Sequence, residues 1–246
     1  DLKAVGAMAV LLKDALKPNL VQTIEGQPVL IHGGPFANIA HGNNSIIATS
    51  MALKLADYVV TEGGFASDLG AEKFFDIKSQ YSKLTPHATV IVATIRALKY
   101  HGGVDLKSLS TPNPEAVREG LQNLDKHIEN ILHFNLKPVV ALNKFATDSE
   151  EEIAVLTNHL NDLGIQFAVN DSWAKGGEGA LDLAKLVVEA AQSCSTCFRP
   201  LYEFDWTIEK KIHKIATELY GAVDVEYSLK ARKDLKTIAD LNLENL

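Results

Sequence analysis

Five apolar runs of strand length recur along the chain with helical patterns between them, and this alternation constrains the fold most strongly. The runs are PVLIH (28–32), DYVVTEG (57–63), TVIVATI (89–95), PVVALN (138–143) and IQFAVND (165–171). Their apolar residues are continuous, as in strands that are covered on both faces. The helical patterns lie near 43–56, 68–79, 114–134, 149–163 and 178–192. This order predicts an α/β fold with a doubly wound, mostly parallel sheet and flanking helices.

The pattern changes at both ends of the chain. After about residue 198 only helical patterns remain, so we expect an α/β portion over 1–197 and a helical tail over 198–246 that leads toward a further domain. At the other end, DLKAVGAMAVLLKDAL predicts a buried amphipathic helix capped by Asp1. The chain does not begin with Met, and we therefore expect it to be an internal piece of a longer protein.

Composition excludes several classes of function. The net charge of −7 argues against a general nucleic-acid binder, which would be basic. The longest apolar run, residues 4–12, is much shorter than the ~18 residues of a membrane span, so no membrane segment is predicted. The two cysteines, Cys194 and Cys197 in CSTC, favour incidental thiols over a redox or metal role, and they fit a reducing cytoplasm.

Ligands of open α/β sheets collect beyond the carboxyl ends of the strands, so the loops that follow the five runs are the candidate sites. The most unusual of these loops is HGGPFANIAHGNN, over 32–44. Gly33 and Gly34 would let the backbone approach a ligand closely, and His32 and His41 could donate hydrogen bonds or move protons. The alternative is a tight turn with structural histidines.

Charged residues follow two further runs. Glu62 could bind Mg²⁺ or lie beside phosphates, whereas Asp68 and Glu72 fit better as a helix cap and its charged first turn. Arg96 and Lys99 could neutralise phosphate or carboxylate groups of a substrate. The alternative for this basic pair is that both side chains are simply solvated.

Aromatic residues occur in the last two loops. Phe145 in NKFATD and Trp173 in NDSWAKGGEG could sandwich a flat heterocycle, or both rings could fill the core. Trp206, before TIEKK, is interpreted as a packing residue at the start of a helix. NKFATD is loosely similar to the NKxD element of P-loop GTPases, yet no G-x-x-x-x-G-K-[ST] sequence occurs in the chain. No metal-ligand spacing is present, and no metal site is predicted.

Several long motifs resemble those of formate–tetrahydrofolate ligases, nearly end to end and in the same order. They include KPNLVQTIEGQPVLIHGGPFANIAHGNNSIIAT, DLGAEKFFDIK, KYHGGV, LNKFATD, WAKGGEGA and ATELYGAVDVEYS. The resemblance is to the single-function bacterial type, and it implies a P-loop NTPase-like fold. The family's P-loop lies upstream of the matched region, so we expect an internal fragment that lacks it and is inactive alone.

The resemblance implies ATP-dependent ligation of formate to tetrahydrofolate through formyl phosphate, which gives 10-formyltetrahydrofolate. MgATP and tetrahydrofolate are then substrates, no permanently bound cofactor is expected, and a monovalent cation could bind. The family's folate sandwich matches Phe145 and Trp173. The resemblance further implies a cytoplasmic homotetramer that binds neither nucleic acid nor membrane.

Less specific roles are expected for the other matched loop residues. The formyl phosphate and folate-tail side of the cleft is expected to be lined by His32, Gly33, Gly34, His41, Arg96 and Lys99. Glu62 is expected on the magnesium or phosphate side.

Some positions depart from the commonest family pattern. Asn43 stands where Cys is frequent, and EGGFASDLG replaces EAGFGADLG. Two other functions remain open from the residues: a P-loop relative that activates a carboxylate or carbonate, and a folate-binding or scaffolding module without catalysis.

Overall fold

The computed structural model describes residues 3–34, 40–193 and 198–244. The chain forms two compact units, Asp1–Leu84 and Thr85–Leu246. The strands β1 to β5 are Asn19–Gln22, Pro28–Ile31, Thr89–Ala93, Pro138–Asn143 and Gln166–Asn170. The helices α1 to α10 are Val5–Leu12, Ile46–Ala52, Gln80–Ser82, Ile95–His101, Pro114–His133, Glu150–Asp162, Ser172–Lys175, Leu181–Ser193, Ile208–Glu218 and Leu229–Asp240.

The second unit is built on a three-stranded parallel sheet in the order β3-β4-β5. The central strand β4 is buried over its first five residues, which is why its sequence, PVVALN, is a continuous apolar run. Helices α4, α5 and α6 pack with this sheet around one hydrophobic core, which includes Ile95, Leu121, Val140, Leu142 and Leu156. The predicted α/β class with a parallel sheet and flanking helices is confirmed for this unit.

Local capping chemistry sets where the main helices of this unit begin. The Asn113 side chain accepts a hydrogen bond from the Ala116 amide, and Pro114 occupies the first helical position of α5. Ser149 and Glu152 form a reciprocal capping box at the start of α6. Helix α6 therefore begins immediately beyond the loop that follows β4.

The first unit contains an antiparallel hairpin in which β1 pairs with β2, with Leu20 opposite Leu30. The run at 28–32 is thus a strand, but it does not belong to a parallel sheet. The sequence reading missed β1 and its turn, in which Gly26 adopts a φ of +90° and donates a hydrogen bond to the Thr23 carbonyl.

The prediction of a strand over 57–63 is wrong. That segment has no regular secondary structure and pairs with no described strand, and Tyr58 and Val60 in it are exposed. The helical pattern predicted for 68–79 is present as two π-helical turns, Ala66–Ala71 and Phe74–Ser79, followed by α3.

The first helix also departs from expectation. All eight residues of α1 are exposed and apolar, so the helix has no polar face that would define a buried stripe. The residue before α1 is Ala4, which makes no side-chain cap, and Asp1 lies outside the described residues. The expectation of a buried amphipathic helix capped by aspartate is therefore wrong.

The segment after residue 198 is helical, as predicted, with α9 and α10 as its elements. The proposed division at residue 197 stays a prediction. Cys194 and Cys197 lie outside the described residues. Within the part of the chain that the structure describes, no helix is long and apolar enough to cross a membrane, and no three His, Cys, Asp or Glu side chains are grouped to hold a metal ion.

Candidate functional site

The parallel sheet of the second unit brings three predicted residues to one edge. Arg96 follows β3, Phe145 follows β4 and Trp173 follows β5, and these strands are neighbours in the sheet. The register of β4 and β5 ends at Asn143 opposite Asn170, so the loops that carry the two aromatic residues leave the sheet side by side. This is the strand-end position at which α/β sheets bind ligands.

A pair of asparagines ties the Phe145 loop to the Trp173 loop. Nδ2 of Asn170 donates a 2.8 Å hydrogen bond to Oδ1 of Asn143, and the Lys144 amide donates one of 3.1 Å to the Asn170 carbonyl. Oδ1 of Asn170 in turn accepts a hydrogen bond from the Ser172 amide at 3.2 Å. Each side chain therefore satisfies groups that would otherwise be left unpaired where the strands end.

Phe145 is presented by a tight turn that Asp148 closes. Oδ2 of Asp148 accepts a 2.8 Å hydrogen bond from the Phe145 amide. Burial raises the pKa of Asp148, against the opposing effect of this hydrogen bond. The guanidinium carbon of Arg96 lies 4.7 Å from the centroid of the Phe145 ring, which is a cation–π contact. Nη2 of Arg96 also lies 3.5 Å from Oγ1 of Thr147, so Arg96 contacts this turn at two points.

Trp173 projects from the short helix α7, and its side chain is 94% exposed. The loop beneath it is folded back on itself, because the Asp171 amide donates a 3.0 Å hydrogen bond to the Gly179 carbonyl. A side chain at Gly179 would overlap the Asp171 carbonyl, so this close approach requires glycine. The Phe145 ring is 40% exposed, and the alternative that both rings fill the core is therefore wrong.

Lys99, which was expected in the cleft, is buried instead. Its ammonium lies 2.8 Å from Oε1 of Glu152, both side chains are 0% exposed, and Nζ also donates to the Thr111 carbonyl at 3.1 Å. Burial acts to raise the pKa of Glu152, but hydrogen bonds from Lys99, Ser149 and Asn113 outweigh it and lower the pKa to about 2. Lys99 is therefore the counter-ion of a buried carboxylate, and its ammonium is not exposed to solvent.

The histidine and glycine loop of the first unit lines an open depression of about 380 Å³, formed by His32, Gly33, Gly34, His41, Asn43 and Ser45. Both ring nitrogens of His32 are engaged, Nδ1 with Oγ of Ser45 and Nε2 with the Ala15 carbonyl, each at 2.7 Å. The Ala15 carbonyl can only accept, so a neutral His32 carries its proton on Nε2 and the Ser45 hydroxyl donates to Nδ1.

His41 is the freer of the two histidines. Its Nδ1 accepts a 3.2 Å hydrogen bond from the Asn43 amide, and burial, followed by the charges of Lys78 and Lys73, lowers its pKa. A neutral His41 thus presents Nε2–H as a donor. Oδ1 of Asn43, whose side chain also lines this depression, is buried without a hydrogen-bond partner among the described residues.

The carboxylates predicted after residue 57 lie in different surroundings. Glu62 is exposed in the segment 57–63, which has no regular secondary structure. The helical turn begins at Ala66, so Asp68 does not cap it, and the predicted capping position of Asp68 is wrong. Glu72 is buried rather than part of a solvated first turn, and burial raises its pKa to about 7.

The sequence reading missed four residues that build the site of the second unit: Asn143, Asp148, Glu152 and Asn170. One of them, Glu152, carried a usable sequence pattern. Ser149 followed three residues later by Glu152, before an apolar run, is the pattern of a capping box. That pattern agrees with the helix predicted over 149–163 and marks the end of the turn that holds Phe145.

Comparisons with known proteins identify the family of the chain. The whole chain, residues 1–246, matches the sequence model of the family described as formate–tetrahydrofolate ligase. Over all 246 residues the chain is 56% identical to a formate–tetrahydrofolate ligase from Pseudothermotoga lettingae, of which it spans 44%. The chain belongs to the formate–tetrahydrofolate ligase family.

Proposed function

We propose that the protein catalyses the ATP-dependent ligation of formate to tetrahydrofolate, with formyl phosphate as intermediate and 10-formyltetrahydrofolate as product. The observation that carries this proposal is the pair of accessible aromatic side chains, Phe145 and Trp173, at the ends of two adjacent parallel strands. A flat pterin ring stacks favourably between two such faces. Membership of the family supports the choice of formate and tetrahydrofolate as substrates.

The residues divide the work according to their chemistry. Phe145 and Trp173 hold the pterin. The positive charge of Arg96 lies beside the Phe145 ring, where it favours an electron-rich or anionic ligand group. The depression of the first unit offers the Nε2–H of His41 as a donor to the formyl phosphate or the folate tail. Glu62 is available to a magnesium ion that accompanies the phosphates.

Further parts of the proposal are a P-loop NTPase-like fold, residence in the cytoplasm, a homotetramer and a monovalent cation as an activator. They follow from membership of the family, and the parallel sheet with flanking helices is compatible with that fold. The division of the chain into an α/β portion and a helical tail at residue 197 is proposed because only helical patterns remain after about residue 198.

A titration with tetrahydrofolate, followed by tryptophan fluorescence, tests the proposed site. Trp173→Ala is expected to abolish the saturable quenching. Isothermal titration calorimetry of the same variant is expected to give a Kd raised about tenfold, which corresponds to ~1.4 kcal/mol. Trp206→Ala is the matched control, because Trp206 lies before α9 with the ammonium of Lys210 at 3.4 Å from its ring centroid. Quenching that survives in Trp173→Ala and disappears in Trp206→Ala would contradict the proposed clamp.

A product assay separates the proposed reaction from the two alternatives. The complete gene product is expected to form 10-formyltetrahydrofolate only when ATP, formate and tetrahydrofolate are all present. Folate binding without product would indicate a binding or scaffolding module. Product from another carboxylate or from carbonate, with formate inert, would indicate a related ligase.

A further inference from the structure

The carboxylate of Glu152 joins three segments of the second unit. It accepts hydrogen bonds from Lys99 in α4 at 2.8 Å, from the Asn113 amide before α5 at 2.8 Å, and from the amide and hydroxyl of Ser149 before α6 at 2.9 and 3.0 Å. The segments containing Lys99 and Ser149 follow the neighbouring strands β3 and β4. The ion pair therefore links two of the strand-end loops from inside the unit.

Stability alone does not explain this pair. Two charges that are fully removed from water lose their hydration, and replacing such a pair by apolar side chains of similar volume is often neutral or stabilising. Apolar packing is not directional. A carboxylate with four donors, by contrast, fixes the position of each donor within the narrow range of hydrogen-bond distances and angles. The pair is therefore suited to fix geometry.

The geometry that it fixes is the contact between Arg96 and Phe145. Arg96 belongs to α4, the same helix that carries Lys99. Phe145 belongs to the turn that Asp148 closes, and Asp148 directly precedes Ser149. Lys99 thus fixes the helix that carries Arg96, and Glu152 fixes the turn that carries Phe145.

We propose that Lys99 and Glu152 are positioning residues for folate binding, because their ion pair holds Arg96 and the Phe145 turn in register. This inference rests on the proposed function, in which Phe145 contacts the pterin. Neither residue touches the substrate.

The test is the double variant Lys99→Met/Glu152→Gln in the complete gene product. With its oxygen at the Oε2 position the glutamine still accepts the Ser149 amide and hydroxyl, whereas its NH2 group replaces Oε1. The variant therefore removes the tie between α4 and α6 together with the hydrogen bond from the Asn113 amide. We expect the KM for tetrahydrofolate to rise about tenfold, with the KM for ATP and the KM for formate within about twofold of the parent values. Asp182→Asn, which removes an exposed ion pair with Lys185, is the matched control and should change none of the three.

A second comparison separates positioning from a general loss of structure. In a Phe145→Ala background the double variant should add no further rise in the KM for tetrahydrofolate, since it acts through that ring. A folded double variant with an unchanged KM for tetrahydrofolate, or with equal rises for all three substrates, would overturn the inference. Additive losses in the Phe145→Ala background would overturn it as well.

The failures of the two proposals are distinguishable. If Phe145→Ala alone leaves the KM for tetrahydrofolate unchanged, the proposed folate clamp is wrong. If Phe145→Ala raises it and the double variant does not, only the positioning role is wrong. Glu152→Asp, which keeps the charge but shortens the side chain by one methylene, provides the same comparison if the double variant does not fold, with an expected rise of about threefold.

Discussion

The backbone amide of Phe145 donates a 2.8 Å hydrogen bond to the side chain of Asp148, and the Asp148 amide donates one of 3.0 Å back to the Phe145 carbonyl. This reciprocal pair closes the turn between β4 and α6. The ring that follows the strand is consequently held in place by a residue that contacts no ligand in the proposed site.

Asp148→Ala is expected to lower the free energy of unfolding by about 1–2 kcal/mol, because the Phe145 amide loses its acceptor. It should also weaken tetrahydrofolate binding severalfold. Asp148→Asn keeps an acceptor and should bind tetrahydrofolate like the parent. Chemical denaturation and the fluorescence titration measure the two effects, and equal losses in the alanine and asparagine variants would contradict the role assigned to the hydrogen bond.

The raised pKa of Asp148 adds a pH dependence. An acid whose pKa is higher in the folded state loses its proton first in the unfolded chain, so its contribution to stability falls as the pH rises from its ordinary pKa to the folded one. Asp148→Asn removes this penalty. Its free energy of unfolding should therefore exceed the parent's at pH 7 and approach it below the ordinary pKa of an aspartate.

Asn170→Ala should weaken tetrahydrofolate binding about tenfold while lowering the free energy of unfolding by only about 1 kcal/mol. The reason is that Asn170 bonds both to Asn143 and to the Ser172 amide, and so couples the loops of Phe145 and Trp173. Isothermal titration calorimetry gives the affinity. Asn161→Ala, at an exposed position of α6, is the control, and a similar loss of affinity there would show that the effect is not local.

Continuous apolar runs predicted the three strands of the parallel sheet, although only β4 is buried over most of its length, whereas Val92 in β3 and Val169 in β5 are exposed. The run at 138–143 coincides with β4, and those at 89–95 and 165–171 contain β3 and β5. The strand prediction failed at 57–63, because an apolar run carries no information about whether a partner strand exists. It also missed the exposed four-residue strand β1, whose pairing depends on the turn at Gly26.

The candidate site, like the fold, could be predicted only in part from the sequence. The strand-end rule and the family resemblance were sufficient to select Phe145 and Trp173, because position after a strand can be read from the chain. The environment of Lys99 could not be read, since its partner Glu152 lies far along the sequence and only the fold brings the two together. For the same reason a charged residue in a matched motif was mistaken for a ligand-facing one.

Gly120→Ala is expected to lower the free energy of unfolding by about 2–3 kcal/mol. A methyl group at this position of α5 would overlap the backbone carbonyl of Leu98 in α4, so the two helices would have to move apart. Gly63→Ala, where nothing lies within 4 Å and the backbone is not strained, is the control. A Gly120→Ala protein as stable as the parent in urea would contradict the close helix contact that places Arg96.

Glu72→Gln should flatten the dependence of stability on pH between about 4.5 and 7. Burial raises the pKa of Glu72 from 4.5 to about 7, against the opposing effects of Lys73 and a hydrogen bond with Asp76. Below 4.5 the carboxyl is protonated in both states. Between the two values only the unfolded chain releases the proton, so the parent loses stability as the pH rises, by an amount on the order of 3 kcal/mol.

The neighbouring titrations act in other pH ranges or with the opposite sign. Burial lowers the pKa of Lys78 to about 8, so its contribution changes between 8 and its ordinary pKa of 10.5. The lowered pKa of His41 costs stability as the pH falls below 6.5. The contributions of Lys78 and His41 are present in both proteins, so they cancel when the free energy of unfolding of Glu72→Gln is subtracted from that of the parent. Glu119→Gln, on the exposed face of α5, controls for the loss of one negative charge. Parallel stability curves for parent and Glu72→Gln from pH 4.5 to 7 would show that Glu72 is ionised in the folded protein.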